Sequence, residues 1–151
     1  IEHSNIFKTD IKNSKILDLF SGSGSFGLEC ISRGAQHVSF VEHYKEILNV
    51  LKKNIINIDT SKKSILIEQN CFDYLDRNKY WPHKFNIIFL DPPYKETKIN
   101  FIIEKIKENE ILEESGILII HRHKKDNIDI TKELKILDTR IYGISKIIIG
   151  S

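Results

Sequence analysis

Asp18-Leu19-Phe20-Ser21-Gly22-Ser23-Gly24-Ser25-Phe26-Gly27 follows directly on the apolar run that begins Lys15-Ile16-Leu17, and this junction decides the fold. A short aliphatic run closed by a turn signal reads as a buried parallel strand, and the glycines mark the crossing from its end into a helix. Outward from it, strands are expected at 16–20, 38–41, 64–69, 85–90 and 116–120. Phe26, Leu28, Cys30 and Ile31 form the inner face of a helix ending near Arg33-Gly34. Ile47, Leu48, Leu51, Ile55 and Ile58 recur at helical spacing over 44–57; a short helix starts at Phe72; a last one spans 99–108, with Phe101, Ile102, Ile103 and Ile106 inward. The alternation then stops. Leu134 to Ile141 and Ile144 to Ile149 flank Tyr142-Gly143 as a hairpin, which gives an antiparallel end to a mostly parallel seven-stranded sheet. Residues 1–11 read as the tail of a helix or a connector.

Ligands in such sheets bind at the carboxyl ends of the strands. Gly22, Gly24 and Gly27 satisfy the dinucleotide pattern G-x-G-x-x-G, so on the glycines alone a nicotinamide-dependent oxidoreductase stays open. Asp18 argues against it: a carboxylate at the strand end would repel a pyrophosphate, whereas it can pair with the ammonium of S-adenosylmethionine. Glu42 ends the next strand, where it can accept both ribose hydroxyls. His43 follows it and is expected near adenine, as are Asn70 and Cys71 at the end of the third strand.

Asp91-Pro92-Pro93-Tyr94 follows the fourth strand, Phe85 to Leu90. It reads as a clamp for a planar amine, whose lone pair is delocalised into its ring and must be localised before it can attack. The Asp91 carboxylate and the Pro92 carbonyl can accept the amine's two hydrogens, Pro92 and Pro93 fix the backbone that aims them, and Tyr94 offers a stacking ring.

The remaining features exclude more than they assign. The 151 residues carry a net charge of only +2, which permits nucleic-acid binding without announcing it. Two cysteines without disulfide or zinc spacing point to a reducing, cytoplasmic setting, and no apolar run reaches membrane-spanning length. His121-Arg122-His123 could suggest a metal, but no cluster completes a site, so it reads as a solvated strand end and no metal is expected. Trp81-Pro82-His83 reads as a loop packed on the sheet edge.

The two motifs, joined by Ser32-Arg33-Gly34-Ala35 and Phe40-Val41-Glu42, resemble the RsmD-type methyltransferases, which modify the N2 amine of a guanine in bacterial small-subunit (16S) ribosomal RNA. The resemblance runs from about Ile11 to the end. It implies a single Rossmann-like class I methyltransferase domain over 1–151, monomeric, using S-adenosyl-L-methionine. It also implies Asp18, Gly22 and Gly24 in the cofactor loop, Glu42 on the ribose, Asn70 and Cys71 by the adenine, and Asp91 to Tyr94 as the catalytic clamp. The partner it implies is rRNA within the small ribosomal subunit or its assembly intermediate. The family's basic opening segment and Arg-Glu helix have no counterpart in the chain, which has no methionine; Ile1 is therefore not expected to be the translation start. Amino-methylation of DNA adenine or cytosine, or of a protein glutamine, and a non-catalytic RNA-binding module remain alternatives.

Overall fold

The computed structural model describes residues 11–77, 81 and 83–151. The expected helix tail before Ile11, and Pro82, lie outside these. In chain order the elements are β1 (Lys15–Asp18), α1 (Ser25–Ser32), β2 (His37–Val41), α2 (Lys45–Ile58), β3 (Ser64–Ile67), α3 (Cys71–Arg77), β4 (Phe85–Leu90), α4 (Ile99–Glu108), β5 (Leu112–His123), β6 (Ile136–Tyr142) and β7 (Ser145–Gly150).

One seven-stranded sheet holds them in the order β3-β2-β1-β4-β5-β7-β6. The first five strands run parallel, and β7 pairs antiparallel with both β5 and β6. Parallel strands covered on both faces are near-continuously apolar, which is why β1 and β4 read as mainly apolar runs, with Asn86 of β4 satisfied by the Lys15 N–H. Successive side chains go to opposite faces. Ile16, Val38, Phe40, Ile87, Phe89, Ile119 and Ile147 pack on one side with α1 and α2, while Leu17, Leu19, Val41, Ile88, Leu90, Leu118 and Ile120 pack on the other with α3 and α4. Each fully buried aliphatic side chain contributes roughly 1.5–3 kcal/mol. Cys30 lies in the first layer and Cys71 in the second, both as buried free thiols.

Gly27 sets how closely α1 rests on the sheet, because a Cβ there would meet the Phe40 ring at 2.4 Å. The hairpin turns through Gly143 and Ile144, since Tyr142 pairs with Ser145; Gly143 has φ +57°, as a tight turn of this kind requires. Among the described residues, no helix is long and apolar enough to cross a membrane.

Three expectations need correction. Ile58 is exposed and α2 buries chiefly Leu48 and Leu51, so its inner face is narrower than the apolar spacing suggested. Phe101 is also exposed; Ile99 takes the inward place alongside Ile102, Ile103 and Ile106. The largest difference is β5, which spans twelve residues instead of five. Its start is held by Leu112 against Phe85 and its end by His123 against Ser145, so neighbouring backbone extends it through polar sequence.

Candidate active site

The chain runs outward from β1 to β2 and β3, then returns to β4 on the other side of β1. Between β1 and β4 the order reverses, and loops leaving adjacent strands in opposite directions open a crevice. A cleft of about 750 Å³ lies there, within the size range of ligand sites. Asp18, Gly22, Glu42, His43, Cys71 and Asp91 to Tyr94 all line it, along with Phe20, Phe26, Gln69 and Phe89. Phe26 and Phe89 stack with centroids 4.0 Å apart.

The glycine loop is tied down on three sides. The Ser21 N–H donates to the Val41 carbonyl at 3.1 Å, while the Ser21 hydroxyl accepts from the Val41 N–H and donates to the Asp18 carbonyl. Asn54 of α2 donates to the Ser23 carbonyl at 2.9 Å. The Glu42 carboxylate accepts from the Gly22 N–H at 2.8 Å and from the His43 and Tyr44 N–H groups at 2.9 and 3.1 Å. Gly22 and Gly24 both have positive φ. Only Gly22 faces the cleft; a Cβ on Gly24 would lie 2.6 Å from Leu51, so Gly24 serves the packing of the loop on α2.

Asp18 is 1% exposed, and neither carboxylate oxygen has a hydrogen-bond partner among the described residues. The nearby Gly27 N–H and Ser21 hydroxyl ease the charge without completing a hydrogen bond to it. Burial, then the charges of Asp91 and Glu42, push the carboxyl from 3.8 up to about 8. A cation beside it would offset all three effects.

Asn70 is not on the cleft wall. Its side-chain oxygen accepts from the Phe72 N–H at 2.7 Å and caps α3. Gln69 lines the cleft instead, with a buried Oε1 that has no partner among the described residues. Cys71 opens α3 beside it, its thiol pushed up to about 12 by burial and, secondarily, by Glu96.

Asp91 follows Leu90, which is in register with Ile120 of β5, so Asp91 leaves β4 level with His121, which β5 still carries. His121 Nδ1 lies 2.7 Å from Asp91 Oδ1. Arg122 is buried as well and pairs with Asp126, each with a side chain under a tenth exposed. Its guanidinium also donates to the carbonyls of Pro93 and Tyr94 at 3.3 Å and of Glu96 at 3.1 Å. Burial works to raise the Asp126 carboxyl, but the Ile128 N–H and Arg122 together hold it below the usual range. The triplet read as a solvated strand end is therefore the support of the Asp91 loop. The clue was positional: the apolar run ending at Ile120 matches the one ending at Leu90, which puts the residues that follow each of them level with one another.

Tyr94 is 68% exposed, its ring edge-on to His123 at 5.6 Å. Trp81 packs on Tyr74 at 5.0 Å and meets the core, in line with the expected loop packing. No group of three metal-ligating side chains occurs among the described residues.

This strand order, the antiparallel last strand and a carboxylate-lined crevice at the reversal define the class I methyltransferase fold, as expected from the sequence. The chain belongs to the family described as conserved hypothetical protein 95, whose model matches residues 3–151. The ribosomal RNA small subunit methyltransferase D of Haemophilus influenzae is 33% identical over 135 residues, covering 89% of this chain and 69% of that protein. The putative rRNA methyltransferase YlbH of Bacillus subtilis is 31% identical over 134 residues, covering 88% and 73%. A solved conserved hypothetical protein from Streptococcus pyogenes superposes with a TM-score of 0.87 at 27% identity, covering 99% of this chain and 94% of that one. The resemblance drawn from the motifs is borne out at the level of the family.

Proposed function

We propose that this protein uses S-adenosyl-L-methionine to methylate the exocyclic N2 amine of a guanine in small-subunit ribosomal RNA. The observation that carries the reading is the pair of unpartnered, buried Asp18 oxygens on a cleft that also holds Asp91-Pro92-Pro93-Tyr94. The names of the relatives supply the class of RNA; the amine clamp supplies the kind of atom.

The residues fit the cofactor. Asp18 takes its ammonium and is thereby ionised, the cation offsetting both the burial and the two neighbouring carboxylates. Glu42 takes a ribose hydroxyl with the one acceptor site left by its three backbone bonds. Gln69 reads the adenine edge in place of Asn70, with Cys71 and His43 beside it. When bound, the cofactor supplies a methyl group made electrophilic by its sulfonium.

The protein's own chemistry is done on the amine. Asp91 and the Pro92 carbonyl accept its two hydrogens and so localise the lone pair on nitrogen. Asp91 then stabilises the positive charge that develops there and accepts the departing proton, while Tyr94 stacks on the base. The prolines and Arg122 hold this geometry before substrate arrives, which is where proximity contributes most. The protein acts as a cytoplasmic monomer on RNA within the small subunit or its assembly intermediate.

The test is methyl transfer to small ribosomal particles from cells lacking this activity, followed by nucleoside analysis. N2-methylguanosine is expected. A methylated adenine, or cofactor binding without transfer to any RNA, rules the proposal out.

A further inference from the structure

We propose that His121 is the positioning residue for Asp91, fixing the direction in which its carboxylate faces the amine. The inference rests on the reading of the site as an amino-methyl transfer centre. Asp91 lies just past the end of β4, on the loop that carries the clamp. Its side chain is 39% exposed, so without a partner it would turn in solvent. His121 is set differently. It lies within β5, one residue past the last pairing with β4 and in register with Ile147 of β7, and its side chain is only 15% exposed. A ring with two rotatable bonds on a central strand is a rigid arm.

The bond it makes has a defined polarity. A carboxylate can only accept, so the ring carries its hydrogen on Nδ1 and donates to Oδ1 across 2.7 Å. That contact occupies one oxygen and leaves Oδ2 for the amine. The next residue completes the support: Arg122 holds the Pro93, Tyr94 and Glu96 carbonyls. Consecutive residues of one strand thus fix the side chain of Asp91 and the backbone that follows it. The His121 ring also lines a smaller groove of about 240 Å³ with Asp91, Pro92, Tyr94, His123 and Ile144.

Two measurements test this. In single-turnover transfer to small-subunit particles, His121→Ala should lose about 10- to 100-fold, the scale of a misplaced reacting group, with cofactor affinity unchanged. His121→Asn should recover most of the loss, because its amide N–H reaches the position of Nδ1. In an Asp91→Ala background, His121→Ala should cost nothing further, since a residue acting only through Asp91 has nothing left to act on. Nitrogen-15 spectra of the cofactor-free protein should show His121 protonated on Nδ1, with the tautomer changing in Asp91→Ala. An undiminished loss in the Asp91→Ala background, equal loss in the Ala and Asn variants, or an Nε2-protonated ring in the wild type would overturn the proposal. Absence of any transfer by the wild type would instead count against the proposed function, and the spectra would still decide the role of His121.

Discussion

Asp18 and Asp91 sit at the ends of neighbouring strands, β1 and β4, on the same cleft, yet Asp18 is buried with both oxygens unpartnered while Asp91 is 39% exposed and bonded to His121. On the proposed function, the difference separates two tasks. A carboxylate that captures a cation gains from being dry and unsatisfied, because the ligand then supplies what the protein withholds. One that handles a proton and a mobile base must be reachable and already aimed. The first site is costly to the empty protein and the second is not.

The largest effect should come from removing the support under the Asp91 side. Arg122→Met strips the buried Asp126 carboxylate of its guanidinium and leaves it only the Ile128 N–H and the charge of Lys146, which costs up to roughly 3–5 kcal/mol by chemical denaturation. Arg122→Met combined with Asp126→Leu should recover much of that stability without restoring transfer, since the loop carbonyls stay unheld. A single-variant loss below about 1 kcal/mol would mean that Arg122 does not anchor the loop. Next, Asp91→Ala should slow single-turnover transfer by about 100-fold or more while cofactor affinity stays within a few-fold. Parallel losses in rate and affinity would erase the distinction between the two aspartates.

Asp18→Asn probes the other side. Its raised carboxyl binds a proton in the folded state that the unfolded chain releases near 3.8. Its contribution to the empty protein is therefore fully present below that pH and lost as pH rises to about 8, at up to about 1.4 kcal/mol per unit. The Asn variant should melt progressively higher than the wild type as pH rises through this window, and bind S-adenosyl-L-methionine more weakly by about 1.5–3 kcal/mol. A melting difference that does not change with pH would show that Asp18 does not titrate there. The smallest effect belongs to Tyr94→Ala: removing an exposed stacking ring should raise KM for RNA by about tenfold or less and leave stability within about 0.5 kcal/mol.

The two sides also differed in how much of them could be read in advance. Asp18, Gly22 and Glu42 were legible because the aliphatic runs before them mark strand ends, strand ends face the crevice, and a carboxylate at Asp18 narrows what the glycine loop can hold. Asp91 to Tyr94 were legible for the same reason. His121 and Arg122 were not, because His-Arg-His after an apolar run looks like solvent-facing sequence when its partners at the clamp are 26 to 30 residues away. Burial of Arg122 depends on Asp126 and three carbonyls that only the folded loop brings together. Asn70 and Gln69 were exchanged because strand β3 ends two residues early, at Ile67, and α3 claims Asn70 as its cap. One position at a strand end decides which amide faces the ligand.

The two cysteines lie on opposite faces of the sheet, and burial raises both thiols, Cys71 to about 12 and Cys30 further still. The thiolate is what attacks a disulfide reagent, expelling the reagent's other sulfur, so each cysteine stays silent until its own layer opens to water. The chain therefore carries a clock on either side of the sheet. The labelling rate of Cys71 times the lifting of α3 from the cleft wall, and that of Cys30 the loosening of α1. A ligand seated against Cys71 should slow the first clock more than the second, reporting occupancy through breathing alone.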